Sequence, residues 1–286
     1  MSRPPSPGTA LITGATSGIG RAYALALADR GYKLIVTGRR RVRLDSLVQE
    51  VEAMEPRGEE NSPDREGRIE IVTGDLRDSE VRDTLVSRIT ECGDLTLLIH
   101  NAGYGHTESF ATLSREELVG MGVVHMQCAV ELLSAALPVM PEGAGAGRKM
   151  NTPPAMAGVI LVSSLAAFFP APGAGMYTAT KSFLVALARA LHPELARRGI
   201  RTQVLCPGFT HTDFHDRLEW PAEARRNRGL IRWMRAEEVV RRSLAALDRR
   251  SLWRDPVYIP GLSNRLLLAL VRALPHRLYA RAALRI

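Results

Sequence analysis

The sequence of 286 residues is short of cysteine, lysine and aromatic side chains, and each shortage excludes something. Its three cysteines, Cys92, Cys128 and Cys206, form no C-x-x-C pair and sit among apolar residues. That excludes a disulfide framework or a thiolate zinc site and fits reduced thiols in a cytosolic protein. Aromatics are 5% of the chain, and none is interleaved with a basic tract, so nucleic acid is the weaker idea for a partner. The net charge is +8, yet lysine occurs only at Lys33, Lys149 and Lys181, so arginine carries the basic excess. Such an excess suits an anionic ligand or an anionic surface. No run of about 18 apolar residues occurs, so no ordinary membrane-spanning helix is expected. The opening MSRPPSPGTALITG leaves no room for a signal peptide before the first strand, which adds to a cytoplasmic expectation.

What is present is a regular alternation of apolar runs and helical periods. Hydrophobic residues make up 45% of the chain, enough for a large core. Strands are expected at 9–13, 34–37, 69–73, 95–100, 159–163 and 200–206, with a short seventh at 256–260. Helices are expected at 18–30, 42–54, 79–92, 114–138, 175–198 and 236–249, with Pro193 kinking or restarting the sixth. Residues 56–67 read as a surface loop and 141–157 as a Gly/Ala/Pro-rich excursion. This order argues for an α/β fold: a parallel sheet covered by helices on both faces, in one domain over 1–286. No internal repeat is evident.

The first strand runs into TGATSGIG, residues 13–20. Gly14, Gly18 and Gly20 stand between a strand and a helix, where glycine permits the turn and the close approach of a pyrophosphate. The helix N-terminus then offers N–H donors and partial positive charge. A structural glycine turn would read the same way. The second strand ends Thr37-Gly38-Arg39-Arg40-Arg41, with no acid for a ribose 2′-hydroxyl. Arginine can grip a 2′-phosphate instead, which favours NADP(H) over NAD(H), with Arg39 the first choice. Arg40 and Arg41 could equally be solvated residues of the helix's first turn.

Tyr177 and Lys181 lie at i and i+4, so they share one helix face. An ammonium beside a phenol, joined by an oxidised nicotinamide, should lower the phenol's pKa from about 10. Tyr177 could then exchange a proton with a substrate oxygen while the cofactor exchanges hydride. No spacing of the histidines suggests a metal site; His211 and His215 are four apart, but in a loop.

TGATSGIG, the triplet Asn101-Ala102-Gly103, Ser163-Ser164, YTATK, and Pro207-Gly208 with Thr212 occur in this order. In this the chain resembles the short-chain dehydrogenase/reductase superfamily over roughly residues 9–213. The resemblance implies a three-layer Rossmann-type doubly wound sheet of about seven strands and a homo-dimer or homo-tetramer. It also implies roles. Ser164, thirteen residues before Tyr177, would hold the substrate oxygen, with Ser163 the alternative. Lys181 would also hold the nicotinamide ribose. Gly14, Thr16, Ser17, Gly18, Ile19 and Gly20 would cradle the pyrophosphate, and Arg39 and Arg40 the 2′-phosphate. Asp75 and Leu76 would meet the adenine, and Asn101, Ala102 and Gly103 would line the cofactor's middle. Pro207, Gly208, Thr210 and Thr212 would lie near the carboxamide and the second phosphate. One position departs from the family: counting thirteen back from Pro138 places His125 where it has an Asn that anchors a relay water. His125 could carry protons itself, leave the relay altered, or be a tolerated structural replacement.

Residues 209–235 stand in place of the family's variable substrate loop. They carry Phe209, Phe214, Leu218, Trp220, Leu230, Ile231 and Trp233 among arginines, and Phe168, Phe169 and Pro170 follow the serine. An apolar pocket with a basic rim is consistent with a hydrophobic carbonyl or alcohol, a lipid or a compound bearing an acid group included, and ordinary lid packing would read the same way. The stretch 262–286 reads as an amphipathic basic extension, with Leu266, Leu267, Leu270 and Leu274 at helical spacing. It could touch an anionic membrane peripherally, a partner subunit or the substrate lid. The reading is therefore an NADP(H)-dependent carbonyl reductase or alcohol dehydrogenase. A cofactor-binding regulator or scaffold with little turnover, motivated by His125, is the rival.

Overall fold

A computed structural model describes residues 7–54, 67–106, 108–142, 157–169, 173–218, 225–227, 229–249 and 251–273. The loop expected at 56–67, the excursion at 141–157 and the extension beyond residue 273 therefore lie wholly or largely outside the described residues, as do Pro170 and Trp220.

The main sheet is built from β1 (Thr9–Thr13), β2 (Lys33–Gly38), β3 (Ile69–Thr73), β4 (Leu95–His100), β5 (Gly158–Val162), β6 (Arg201–Leu205) and, after two short strands, β9 (Val257–Tyr258). It is parallel throughout, in the order β3-β2-β1-β4-β5-β6-β9. β1, β4 and β5 are buried at every position. A strand covered on both faces has no polar side to show, which is why these segments read as continuous apolar runs.

Helices cover both faces. α1 (Gly18–Ala28), α2 (Arg41–Ala53) and α8 (Ala236–Arg249) close one core, in which Tyr23, Leu27, Leu44 and Val239 are fully buried. α3 (Ser79–Glu91), α5 (Cys128–Val139) and α6 (Gly175–Arg197) close the other, around Leu85, Leu132 and Leu184. The strand order reverses between β1 and β4, and the carboxyl ends of strands at such a switch point leave a crevice for a ligand.

Three expectations are corrected. The helix expected over 114–138 comprises α4 (Arg115–Gly122), a π-helical segment Val123–Gln127, and α5. Ser114 and Glu117 form a capping box at its start. The whole run Arg115–Val139 is long and apolar enough to cross a membrane, but half of its apolar window is buried within the fold. Pro193 does not restart α6: the helix continues to Arg197, because Leu195 and Ala196 bury their side chains beyond the proline. Packing there outweighs one lost backbone bond. The loop at 209–235 holds β7 (Thr210–His211), α7 (Asp213–Arg217) and β8 (Met234–Arg235), with β7 and β8 paired in parallel.

The C-terminal helix α9 (Leu262–Ala273) does not present its leucines as one stripe. Leu268 is buried and Leu267 faces the crevice, whereas Leu262, Leu266 and Leu270 are exposed.

Candidate active site

The crevice is a cleft of about 700 Å³ at the carboxyl ends of the strands. Among the expected site residues all but Gly20 and His125 line it. At its floor the turn after β1 reaches φ +70° at Gly14 and +55° at Gly18, conformations that L side chains rarely adopt. A Cβ at Gly14 would lie 2.9 Å from the Ala102 Cα, so the two loops touch backbone to backbone. Gly20 is corrected to a packing role: a Cβ there would lie 2.3 Å from the Gly14 carbonyl oxygen, so glycine lets α1 lie on the turn. Asn101 ties the loops together, its Nδ2 donating to the carbonyls of Thr13 at 3.0 Å and Gly14 at 3.2 Å. The Thr13 hydroxyl accepts from the backbone N–H groups of Asn101 and Ala102, both at 2.9 Å.

The arginines at the end of β2 divide their work. Arg40 Nη2 donates to Ser17 Oγ at 3.0 Å and Thr16 Oγ1 at 3.2 Å, and its Nη1 to Asp213 at 3.1 Å. Arg43 pairs with the same carboxylate. Arg39 is half exposed and lies 3.5 Å from Asp75. Arg41 bonds Asp45 on its own helix, as a solvated first-turn residue does. Burial pushes the Asp75 carboxyl up, but the hydrogen bonds and charge of Arg77, then Arg39, hold it below the usual carboxylate range. Behind it Arg82 fixes the loop, donating to the Leu76 and Arg77 carbonyls at 2.8 Å and to Glu131 at 2.7 Å.

On the opposite wall Ser164 caps the 3-10 turn Leu165–Phe168, its Oγ accepting from the Ala166 N–H at 3.1 Å. Ser163, the alternative, donates to the Lys181 carbonyl at 2.7 Å and is committed to packing. Tyr177 and Lys181 sit in the first two turns of α6, with the ammonium 5.7 Å from the phenol ring centre. Lys181 Nζ donates to the Val162 carbonyl at 2.9 Å. Burial lowers this ammonium to about 8. The expected fall of the Tyr177 pKa is not what this geometry gives. Burial around the hydroxyl pushes it up to about 12, and a hydrogen bond with the Ser164 side chain pulls in the opposite direction. Counting charges along a helix leaves out desolvation, and here desolvation is the larger effect.

His125 lies in the π-helical segment, fully buried, and does not line the cleft. Its Nε2 accepts the Tyr104 backbone N–H at 3.0 Å, so the ring proton is on Nδ1. Nδ1 donates to Thr180 Oγ1 at 2.7 Å, and that hydroxyl donates to the Tyr177 carbonyl at 2.9 Å. Burial, then the charge of Lys181, holds the ring's pKa well below 6.5. A ring with both nitrogens engaged and no wish to ionise is a poor carrier of protons. It joins the loop after β4 to the first turn of α6 instead. His100 behaves alike: burial, then Lys181, lowers it to about 3.

Among the residues of the cleft that sequence reasoning missed are Tyr104, Gly105, His106 and, from α9, Leu267 as a cleft wall. Only their position beside the Asn-Ala-Gly triplet could have signalled the first three. Among the described residues no three His, Cys, Asp or Glu side chains gather for a metal.

Comparison with known proteins agrees with this geometry. The short chain dehydrogenase family profile matches residues 8–221. A sulfoacetaldehyde reductase of Chromohalobacter salexigens is 32% identical over 206 residues, covering 71% of this chain and 72% of its own. An uncharacterized oxidoreductase of Myxococcus xanthus is 33% identical over 205 residues, covering 72% and 73%. Among solved structures, a short-chain dehydrogenase from Sphingobium yanoikuyae in complex with NADPH superposes with a TM-score of 0.72 at 26% identity, over 94% of this chain and 96% of that one. A bulky-bulky ketone specific alcohol dehydrogenase from Comamonas testosteroni gives 0.69 at 25% identity, over 94% and 95%. A profile that spans well over half of the chain, on a fold whose cleft gathers the glycine turn with Ser164, Tyr177 and Lys181, leaves one assignment: this chain belongs to the short-chain dehydrogenase/reductase family of oxidoreductases.

Proposed function

We propose that this protein is an NADP(H)-dependent oxidoreductase that interconverts a carbonyl and an alcohol, with Tyr177 as the proton donor and acceptor. The observation that carries the reading is the meeting of Ser164, Tyr177 and Lys181 on one cleft wall, facing a glycine turn and two arginines.

The residues present fit the cofactor. Gly14 and Gly18 leave a cradle that side chains would fill, and the N-terminus of α1 opens onto it. Arg39 and Arg40 border the cleft at the end of β2, and the Thr37–Arg41 stretch offers no carboxylate to a ribose. The NADPH bound by the Sphingobium relative is in keeping with that charge. The nicotinamide would supply or accept the hydride. Everything else falls to the chain. Ser164 and Tyr177 would hold the substrate oxygen, and Lys181 would secure the nicotinamide ribose. Because burial keeps the phenol at about 12, Tyr177 carries its proton at neutral pH and stands ready to donate it to a carbonyl oxygen.

The test is NADPH consumption against aldehydes, aliphatic and aryl ketones and 3-oxoacyl compounds, with Tyr177→Phe as control. Turnover that falls at least about 100-fold in the variant, with NADPH binding retained, supports the reading. Undiminished turnover in the variant removes Tyr177 from it, and faster turnover with NADH removes the cofactor preference.

A further inference from the structure

The substrate end of the cleft has a different chemistry from the cofactor end. Among the described lining residues the Arg and Lys side chains are Arg39, Arg40 and Lys181. The arginines sit at the end of β2, and the Lys181 ammonium, which donates to the Val162 carbonyl, lies on the cofactor side of Tyr177 in the role given it above. Beyond Tyr177 the wall is made of rings. Phe214 lies against Tyr177 with centroids 5.7 Å apart, and His215 is edge-on to Phe214 at 5.3 Å. Trp233, itself buried, backs His215 at 4.7 Å and is flanked by Phe209 at 5.2 Å and His211 at 5.0 Å. Burial, then Arg225, lowers His215 to about 4, so it too is neutral at pH 7. His106 lies 3.6 Å from Glu108.

The ring wall is anchored. β7 and β8 pair across it, and the Met234 N–H donates to the Phe209 carbonyl at 3.0 Å. Gly105 leaves room for it: a Cβ there would come within 3.1 Å of the Phe214 ring. Leu165 and Leu267 close the cleft with apolar side chains. Such a site gains by stacking against a flat apolar group. It loses by stripping water from an anion that has no cation to meet it.

The geometry points to an uncharged carbonyl compound carrying an aryl group as the substrate class of this cleft, the aryl ring lying against Phe214 while its carbonyl oxygen meets Tyr177 and Ser164. This rests on the oxidoreductase reading above. Small anionic aldehydes fit less well, since among the described lining residues no Arg or Lys side chain lies beyond Tyr177 and the nearby Arg225 is paired with Asp216.

The experiment measures NADPH consumption by the full chain with acetophenone, benzaldehyde and a two-carbon aldehyde bearing a terminal sulfonate. Tyr177→Phe sets the background. The aryl compounds should exceed the sulfonated aldehyde in kcat/KM by at least about 100-fold. Phe214→Ala should raise KM for the aryl compounds about tenfold or more with little change in NADPH affinity, and Phe214→Leu should restore part of it. Leu218→Arg, which sets a cation on the lining, should shift the preference toward the sulfonated aldehyde. A wild-type preference for the sulfonated aldehyde overturns the inference and leaves the oxidoreductase reading standing. So does an aryl KM that Phe214→Ala does not move in a variant that still melts cooperatively. No consumption above the Tyr177→Phe background with any of the three overturns both.

Discussion

Replacing His125 with Asn separates a clamp from a proton carrier, and the decisive quantity is a slope. In the native protein the ring is buried, fixed as the Nδ1–H tautomer by Tyr104 and Thr180, and held well below 6.5. In the unfolded chain it titrates near 6.5. Above that pH both states are neutral and the stability is fully present. Below it the unfolded chain takes up a proton that the native ring refuses, so stability falls as pH falls. Each such histidine removes about 1.4 kcal/mol per pH unit once well below 6.5, or about 1.5 kcal/mol between pH 6.5 and about pH 5. His100, lowered to about 3, follows the same course in both proteins, as does His215, lowered to about 4. Wild type should therefore lose about 1.5 kcal/mol more than His125→Asn over this window, read from urea unfolding at several pH values. The window stays above the range where Asp75 and Asp213, both lowered from 3.8, begin to take up protons. Absolute stability can change with the substitution; the difference in slope reports the ring alone. Equal slopes would refute the neutral buried ring. A limb near pH 6.5 in the wild-type kcat profile that disappears in His125→Asn would refute the clamp and restore a relay.

Three further outcomes follow from the same contacts. Arg40→Ala removes bonds to Thr16, Ser17 and Asp213, and should raise KM for NADPH about tenfold while leaving NADH unchanged; equal losses would mean that Arg40 only braces the turn. Gly20→Ala forces a Cβ to 2.3 Å from the Gly14 oxygen and 2.4 Å from Asn101 Nδ2. It should cost about 1–3 kcal/mol and weaken NADPH binding with it, and an unchanged melting temperature would contradict that packing. Because burial keeps the Tyr177 proton on to about 12, carbonyl reduction should be flat from about pH 6 to about pH 8, whereas alcohol oxidation, which needs the phenolate, should climb with pH. Steady-state rates in both directions test this, and a reduction rate falling steeply over that span would count against it.

The parts of the fold that were legible in the sequence are those in which one residue type answers one local demand. β1, β4 and β5 are buried on both faces, so apolar runs identified them. The turn after β1 needs positive φ at Gly14 and Gly18, and only glycine accepts that cheaply. The face shared by Tyr177 and Lys181 follows from helical spacing alone. Where the outcome depends on residues far along the chain, the sequence was silent. Whether Arg39 or Arg40 reaches the glycine turn is settled partly by Asp213, 173 residues beyond Arg40. The protonation of His125 is fixed by a backbone N–H 21 residues away and a hydroxyl 55 residues away. The Tyr177 shift runs opposite to what the sequence implies because neighbouring charge is visible in a helix and burial is not.

The segment 210–218 shows why the substrate end was the least legible of all. β7 has two residues and α7 five, too few for either to show a period. Yet neighbouring side chains of α7 face both chemistries at once. Asp213 engages Arg40 and Arg43 at the cofactor end, and Phe214 packs on Tyr177 at the reacting end. Thr212 sets both, since its hydroxyl caps the helix by accepting the Phe214 N–H at 3.4 Å and its methyl fills the space above Gly18. A helix this short has little stability of its own, so its position rests on those contacts. Its ion pair with the arginines and its ring contact with the tyrosine are therefore parts of one placement.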